Sequence, residues 1–269
     1  MILDLDTCLN NELLISVDDG SLLNVEHSSN TNSLLRSETG DFSYPILSGK
    51  PVLFRSTFPL EYILDGIPYE NIEDPYQQYM LLAQIKASIS TNLDKSCDVY
   101  KHTMKLFTNL ASSLKGNGLL VDIGCDQPSL SVSYFPSGCQ YIGIDPVLNL
   151  SNDQRDFSLV ALAEELPLRS ESCDMAAFNG SLDHVLDFNS GLLEAHRVLK
   201  KQGELVIQIY TYNDSKMSTL LTDICHFHHY RNHQLNSALN NLFSTVDVEF
   251  HDCPKGYSHR KITQYFCKK

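Results

Sequence analysis

Two aspartates and a glycine carry the chemistry that is easiest to read in this chain. Asp122 closes the apolar run Leu119-Leu120-Val121, Gly124 follows, and Asp145 closes a second run, Tyr141-Ile142-Gly143-Ile144. A glycine just past a buried strand lets a ligand approach backbone N–H groups. A carboxylate about 20 residues further on, at the end of the next strand, can accept both hydroxyl protons of a ribose. That combination describes a site for a nucleoside-containing ligand. His184 is a second reactive group. An imidazole titrating near neutral pH can take the proton of a hydroxyl nucleophile, or it can be a structural histidine bonded to a nearby carbonyl. Asp223, His226, His228, His229 and His233 form a third concentration. One aspartate with two histidines could bind a divalent metal, but no pair has an established metal-site spacing and the expectation is no metal. Lining of a substrate pocket by His226, His228 and His229 is one reading; a solvated loop and helix cap is the other.

These groups need strands and helices to hold them. The runs ending at Asp122 and Asp145 read as buried parallel strands, with a short helix from Ser129 to Phe135 between them and a break at Pro136-Ser137-Gly138. Further strands are expected at 158–161, 173–178 and 204–210, and a helix from about Ser190 to Lys201. The last pair, 245–250 and 261–267, is joined by a Pro/Gly loop and reads as antiparallel. The result is a doubly wound α/β sheet with one reversed edge strand. Two helices are expected between Asp74 and Lys115: one starts at Asp74-Pro75 and carries Tyr76 and Tyr79, and the other carries the stripe Tyr100, Met104, Phe107, Leu110 and Leu114 for packing on the sheet.

No second or third glycine follows Gly124, so the dinucleotide fingerprint is missing. What stands there, Val121-Asp122-Ile123-Gly124-Cys125 and then Tyr141-Ile142-Gly143-Ile144-Asp145-Pro146, resembles the class I S-adenosylmethionine (SAM) methyltransferases, and among them the methyltransferase type 11-like group. Ala163-Glu164-Glu165-Leu166-Pro167-Leu168, Ser172-Cys173-Asp174 and the stretch from His196 to Leu205 are similar to that family's later motifs, in order. The resemblance covers residues 95–269. It implies a Rossmann-like, seven-stranded methyltransferase sheet and SAM as cofactor. It also implies a cofactor site of Asp122, Gly124, Cys125, Asp126, Asp145, Pro146, Leu162, Ala163, Glu164 and Asn179. Asp126 stands where the family has glycine, and its carboxylate could pair with the SAM amino group or clash with the SAM carboxylate. Adenine would be read through the backbone at Leu162-Ala163 or would turn to Glu164. His184 falls where the methyl acceptor lies, which makes it the catalytic candidate. Tyr76 and Tyr79 could line the pocket from a helix that closes over the cofactor. The implied activity is methyl transfer to a hydroxyl (or amine) of a small molecule such as a sugar or secondary metabolite. An RNA base methyltransferase, and a non-catalytic binding or scaffold protein on the same fold, are the alternatives.

The first 60 residues read differently. Glu12–Val17, the turn Asp18-Asp19-Gly20 and Ser21–Val25 suggest a hairpin, followed by a polar loop from His27 to Ser37 and a strand-like run from Phe42 to Phe54. Tyr44 to Leu53 resembles the closing segment of zinc-ribbon-like domains that accompany methyltransferases. Such ribbons hold zinc with paired cysteines. Here only Cys8 stands near a ligand position and Asn11 replaces its partner, which implies a ribbon that has lost its metal. The expected organisation is therefore a small N-terminal β domain (1–60), a helical linker or lid (61–115) and a SAM-binding domain (116–269). The net charge of −13 and sequence pI near 5.1 argue against nucleic acid as partner and for a small-molecule acceptor. No apolar run approaches the ~18 residues of a membrane span. Eight cysteines without a C-x-x-C pair, and no export signal, read as reduced thiols in a cytoplasmic protein.

Overall fold

The computed structural model describes residues 1–27, 33–57, 98–110, 113–114, 116–132, 135, 137–148, 154–212, 228–253 and 260–269. Asp4 caps the first helix, α1 (Leu5–Asn10), by accepting from the Thr7 N–H. The chain reverses at Asp18-Asp19-Gly20, where Gly20 takes the left-handed φ of +75° and the Ser16 N–H donates to the Ser21 carbonyl at 2.8 Å. Four antiparallel strands follow in sequential order: β1 (Leu23–His27), β2 (Ser33–Ser37), β3 (Ser43–Leu47) and β4 (Lys50–Pro51). Among the described residues, the expected polar loop from His27 to Ser37 is strand at His27 and again over Ser33–Ser37. Leu34 and Leu35 supply the reason, because Leu35 pairs opposite Val25 and its side chain is fully buried.

The main sheet has seven strands: β5 (Leu119–Ile123), β6 (Gln140–Asp145), β7 (Ser158–Val160), β8 (Cys173–Asn179), β9 (Leu199–Tyr212), β10 (Thr245–Asp252) and β11 (Arg260–Lys268). Their order is β10-β11-β9-β8-β5-β6-β7. The five strands from β9 to β7 are parallel, and β11 runs antiparallel to both its neighbours. The reversed strand therefore lies second from the edge rather than at it. The last strand turns back from β10 and inserts beside β9, where all nine of its residues find partners.

The pleat sends alternate residues to opposite faces. Leu119, Val121 and Ile123 join one hydrophobic core, while Leu120 joins another with Phe107, Tyr141, Met175, Ala177 and Val206. Phe107 and the equally buried Met104 come from α2 (Asp98–Leu110), the stripe helix expected from the sequence. The short helix α3 spans Pro128–Ser131, with proline at its first position, where the missing N–H costs nothing. The remaining helices among the described residues are α4 (Phe188–Val198) and α5 (Asn232–Leu242). No helix among the described residues is long and apolar enough to cross a membrane.

The N-terminal residues share the larger core with the main sheet. Leu3, Cys8, Leu14, Leu35, Tyr44 and Leu53 sit in one cluster with Val121, Ile144 and Ala161. Backbone bonds tie the two parts as well. Val52 bridges Val160 in parallel, Leu53 N–H donates to the Val160 carbonyl at 2.8 Å, and Ile15 N–H donates to the Pro167 carbonyl at 3.1 Å. Residues 52–53 thereby extend the sheet past β7. Cys8 is buried, which pushes its thiol up to about 12.

Candidate functional site: the carboxyl ends of the parallel strands

The turn after β5 is built by two opposed constraints. Gly124 sits at φ +79°, and a Cβ on it would lie 2.3 Å from the Ser181 Cβ. Both facts demand glycine. Ser181, at the end of β8, also donates from its hydroxyl to the Ile123 carbonyl, so the turns after β5 and β8 are locked together. Gly124 and Cys125 both donate backbone N–H bonds to the Ile144 carbonyl, at 2.7 and 3.2 Å. The Cys125 side chain folds back over Gly143, whose Cβ would fall 2.7 Å from the thiol sulfur. Burial, together with Asp145, Asp122 and Asp126, raises that thiol well above its ordinary range. It stays protonated and is no nucleophile.

Asp126 is exposed and left-handed, at φ +50°. Aspartate tolerates that region better than most residues. Its N–H donates to Asp145 Oδ2 at 3.0 Å, and the Val147 N–H donates to Asp145 Oδ1 at 2.9 Å. The half-buried Asp145 carboxylate is thus oriented by one backbone N–H on each oxygen. A carboxylate offers about four lone-pair positions and no donor, which suits a vicinal diol. Pro146 follows, half-buried. Below the turn lies Asp122, 2% exposed. Its Oδ2 accepts from the Tyr141 hydroxyl at 2.8 Å, and its Oδ1 has no hydrogen-bond partner among the described residues.

Leu162 and Ala163 follow β7 and are buried. Glu164 is buried too, and its Oε1 accepts from the N–H groups of Leu186 and Asp187 at 2.9 and 3.1 Å. Leu166-Pro167-Leu168 is held by Arg197 of α4, whose guanidinium donates to the Leu166 and Leu168 carbonyls at 2.8 and 2.6 Å and pairs with Glu194. Asn179 ends β8 and is half-buried; its Oδ1 accepts from Gln208 Nε2 at 3.0 Å.

His184 lies in a 3-10 turn, Leu182–His184, straight after β8. The loop that carries it is clamped on two sides. Glu164 holds its N–H groups, while His228 Nε2 lies 2.9 Å from the Val185 carbonyl and 3.2 Å from that of Leu186. Carbonyls only accept, so His228 Nε2 carries a hydrogen. The ring stacks on Tyr230, whose hydroxyl donates to the Leu182 carbonyl at 3.1 Å. His229 packs edge-on to Tyr212, and His233 is exposed in the first turn of α5. Among the described residues, no group of three His, Cys, Asp or Glu side chains converges as a metal would need.

Residues 121–207 match the family described as methyltransferase domain. They span the turn, both acids and the loop of His184 within the strand order described above. Over these residues the chain is similar to a methyltransferase domain, on the Rossmann-like methyltransferase fold. No curated relative matches the chain in sequence. Solved structures share the fold at low identity. The 1,6-didemethyltoxoflavin-N1-methyltransferase of Burkholderia thailandensis, solved with 1,6-didemethyltoxoflavin and S-adenosylhomocysteine, is similar at TM-score 0.55 and 13% identity, over 91% of this chain and 98% of that one. A SAM-dependent methyltransferase of Thermotoga maritima, described as a possible histamine N-methyltransferase, is similar at TM-score 0.53 and 18% identity, over 70% and 100%. The [4+2]-cyclase SpnF is similar at TM-score 0.52 and 17% identity, over 72% and 94%.

The residues present fit the SAM that the sequence resemblance implies. The acceptor-only Asp145 carboxylate matches a ribose diol, and beneath the turn the buried Asp122 carboxyl keeps Oδ1 without a hydrogen-bond partner among the described residues. Of the residues expected from sequence, Asp122, Gly124, Cys125, Asp126, Asp145 and Pro146 cluster at the ends of β5 and β6, and Asn179 ends β8; Ser181, two residues further on, was not expected. Glu164 stands apart, committed to the loop before α4. His228 likewise turns to backbone carbonyls. Tyr76, Tyr79, Asp223 and His226 lie outside the described residues. Sequence reasoning missed Lys50, which β4 carries into the core at 2% exposure. Burial lowers its amine, while the nearby Asp156 carboxylate and Cys125 act the other way. Tertiary burial of a surface-type residue leaves no mark in a single sequence.

Burial raises the Asp122 carboxyl to about 7; the Tyr141 hydroxyl opposes this and Asp145 adds to it. In the unfolded chain the group titrates near 3.8. Between those values the folded protein holds a proton that the unfolded chain has lost, so this group's contribution to stability falls as pH rises, by roughly 4 kcal/mol in all. Asp122→Asn removes that dependence. In urea unfolding at pH 5, 6.5 and 8, the variant is expected to gain on the wild-type protein step by step. A difference that stays flat across the three pH values contradicts the assignment.

Proposed function

We propose that the protein transfers the SAM methyl group to a hydroxyl oxygen, or less readily an amine, of a small molecule such as a sugar or secondary metabolite. The observation that carries this is the placement of His184 directly after β8, on a loop held by Glu164 below and His228 above. When bound, SAM supplies an electrophilic methyl group on a sulfonium. The protein's own part is alignment and proton removal. Asp145 accepts the ribose hydroxyls, the turn from Gly124 to Asp126 faces the methionine end, and Asp126 pairs with its amino group. Leu162 and Ala163 contact adenine through backbone and apolar surface, and Asn179 touches the cofactor from β8. His184 takes the acceptor's proton on a ring nitrogen. His229 lines the acceptor side. The small-molecule reading draws support from the net charge of −13 and from the didemethyltoxoflavin enzyme, which covers 91% of this chain.

A screen of sugars, phenolic metabolites and amines with methyl-labelled SAM identifies the acceptor. With it in hand, His184→Ala is expected to lower kcat by about 10²–10⁴-fold and to leave S-adenosylhomocysteine affinity unchanged. An alanine variant that turns over at the wild-type rate would remove His184 from the chemistry. Label transferred only to RNA would overturn the acceptor class.

A further inference from the structure

We propose that Gln208 is a positioning residue that fixes the direction of the Asn179 amide at the cofactor, through a one-way chain of hydrogen bonds laid across the sheet. The proposal rests on the reading that Asn179 touches the cofactor. Asn179, Gln208 and Gln264 stand in direct register on β8, β9 and β11. Gln208 and Gln264 are 1% and 2% exposed; Gln208 stands between Ile207 and Ile209 in its strand, and Tyr265 and Phe266 follow Gln264 in its own.

The direction of the chain follows from one backbone atom. A peptide carbonyl can only accept a hydrogen bond. The Gln208 amide atom 2.9 Å from the Thr103 carbonyl of α2 is therefore nitrogen. The same nitrogen lies 3.0 Å from Asn179, so the Asn179 atom there is oxygen. The Asn179 NH2 group must then point the other way, where it lies 3.4 Å from Met104 Sδ. In the opposite direction, Gln208 Oε1 accepts from Gln264 Nε2 at 2.7 Å, and Gln264 Oε1 faces His251 Nε2 at 2.9 Å. Every amide is thus oriented by its neighbour, beginning at Thr103. Reversing Asn179 alone would set its NH2 against the Gln208 NH2 in a buried site, and an unmet buried donor is costly. Asn179 is thereby fixed as a donor on its outer edge, and that edge favours a lone pair of the bound ligand over a proton-bearing group.

The test is calorimetry with S-adenosylhomocysteine on the full chain, beside thermal unfolding. Asn179→Ala and Asn179→Asp, the second of which keeps the acceptor for Gln208 and loses only the NH2 edge, are each expected to weaken binding by about fivefold or more. Gln208→Leu is expected to weaken it comparably, because Asn179 is then free to turn over. Gln264→Leu breaks the same chain one strand further out and is expected to lower the melting temperature as Gln208→Leu does, with binding changed less than about twofold. If Gln208→Leu does not fold, Gln208→Glu makes the same comparison, since its carboxylate cannot donate to Thr103 or Asn179. Wild-type affinity in the Asn179 variants overturns the placement of Asn179 at the cofactor, and the relay's purpose with it. Weak binding there with wild-type affinity in the Gln208 variant overturns the relay alone. Equal losses at Gln208 and Gln264 reduce the chain to sheet integrity and overturn it too.

Discussion

Replacing Asp145 with alanine is expected to weaken S-adenosylhomocysteine binding at least tenfold. Two charge-assisted bonds to ribose hydroxyls are each worth roughly 1.5–3 kcal/mol, and about 1.4 kcal/mol is one decade in affinity. The carboxylate also receives the Asp126 and Val147 N–H groups, so its loss slackens the turn that faces the cofactor. Calorimetry at fixed ionic strength measures the change, and a loss under threefold would place the ribose elsewhere. Asp126→Gly probes the neighbouring departure from the family pattern. Glycine accepts a φ of +50° at no steric cost, so the substitution removes the charge without straining the turn. Binding of SAM itself is expected to weaken, because a carboxylate near both a sulfonium and an ammonium gains more attraction than it suffers repulsion. Tighter binding by the glycine variant would show that Asp126 repels the SAM carboxylate.

The largest effect on stability is expected at Gly124. Alanine there must adopt a φ of +79° and place its Cβ 2.3 Å from that of Ser181. Left-handed strain of about 1 kcal/mol and overpacking of about 1–3 kcal/mol add to a loss of roughly 2–4 kcal/mol in urea unfolding. Ser181→Gly opens the space, so the double variant should fall short of the sum of the single losses by about 1 kcal/mol or more. Strict additivity would mean that the two turns do not press on one another.

Much of this site was legible because its signals are local. Asp122 and Asp145 each end an apolar run, and such runs become parallel strands whose carboxyl ends share one edge. The stripe of Met104 and Phe107 was equally plain, since helical spacing needs no partner to be recognised. The place of β11 was not. Antiparallel pairing with β10 is local, but insertion beside β9 depends on contacts across more than fifty residues, such as Gln264 with Gln208. The bonds of Glu164 were hidden for a related reason: a motif fixes where a carboxylate stands in the chain, whereas the N–H groups of Leu186 and Asp187, more than twenty residues on, engage its Oε1. Gln208 carries no signal in the sequence, and only its bonds to Asn179 and Gln264 on the neighbouring strands give it a purpose. The N-terminal stretch read as a separate domain because its strands alternate on their own account, yet Leu35 and Tyr44 belong to the same core as Ile144.

The strand at residues 52–53 also sets a timetable. Leu53 finds its acceptor at Val160, and Ile15 finds its own at Pro167. A ribosome adding about 5–20 residues per second delivers those partners roughly 5–30 seconds after the first segment emerges. Until then, Leu14, Val52 and Leu53 have no surface to cover them. The beginning of this chain must wait for its middle, and its early life depends on whatever shields a half-built edge from other strands.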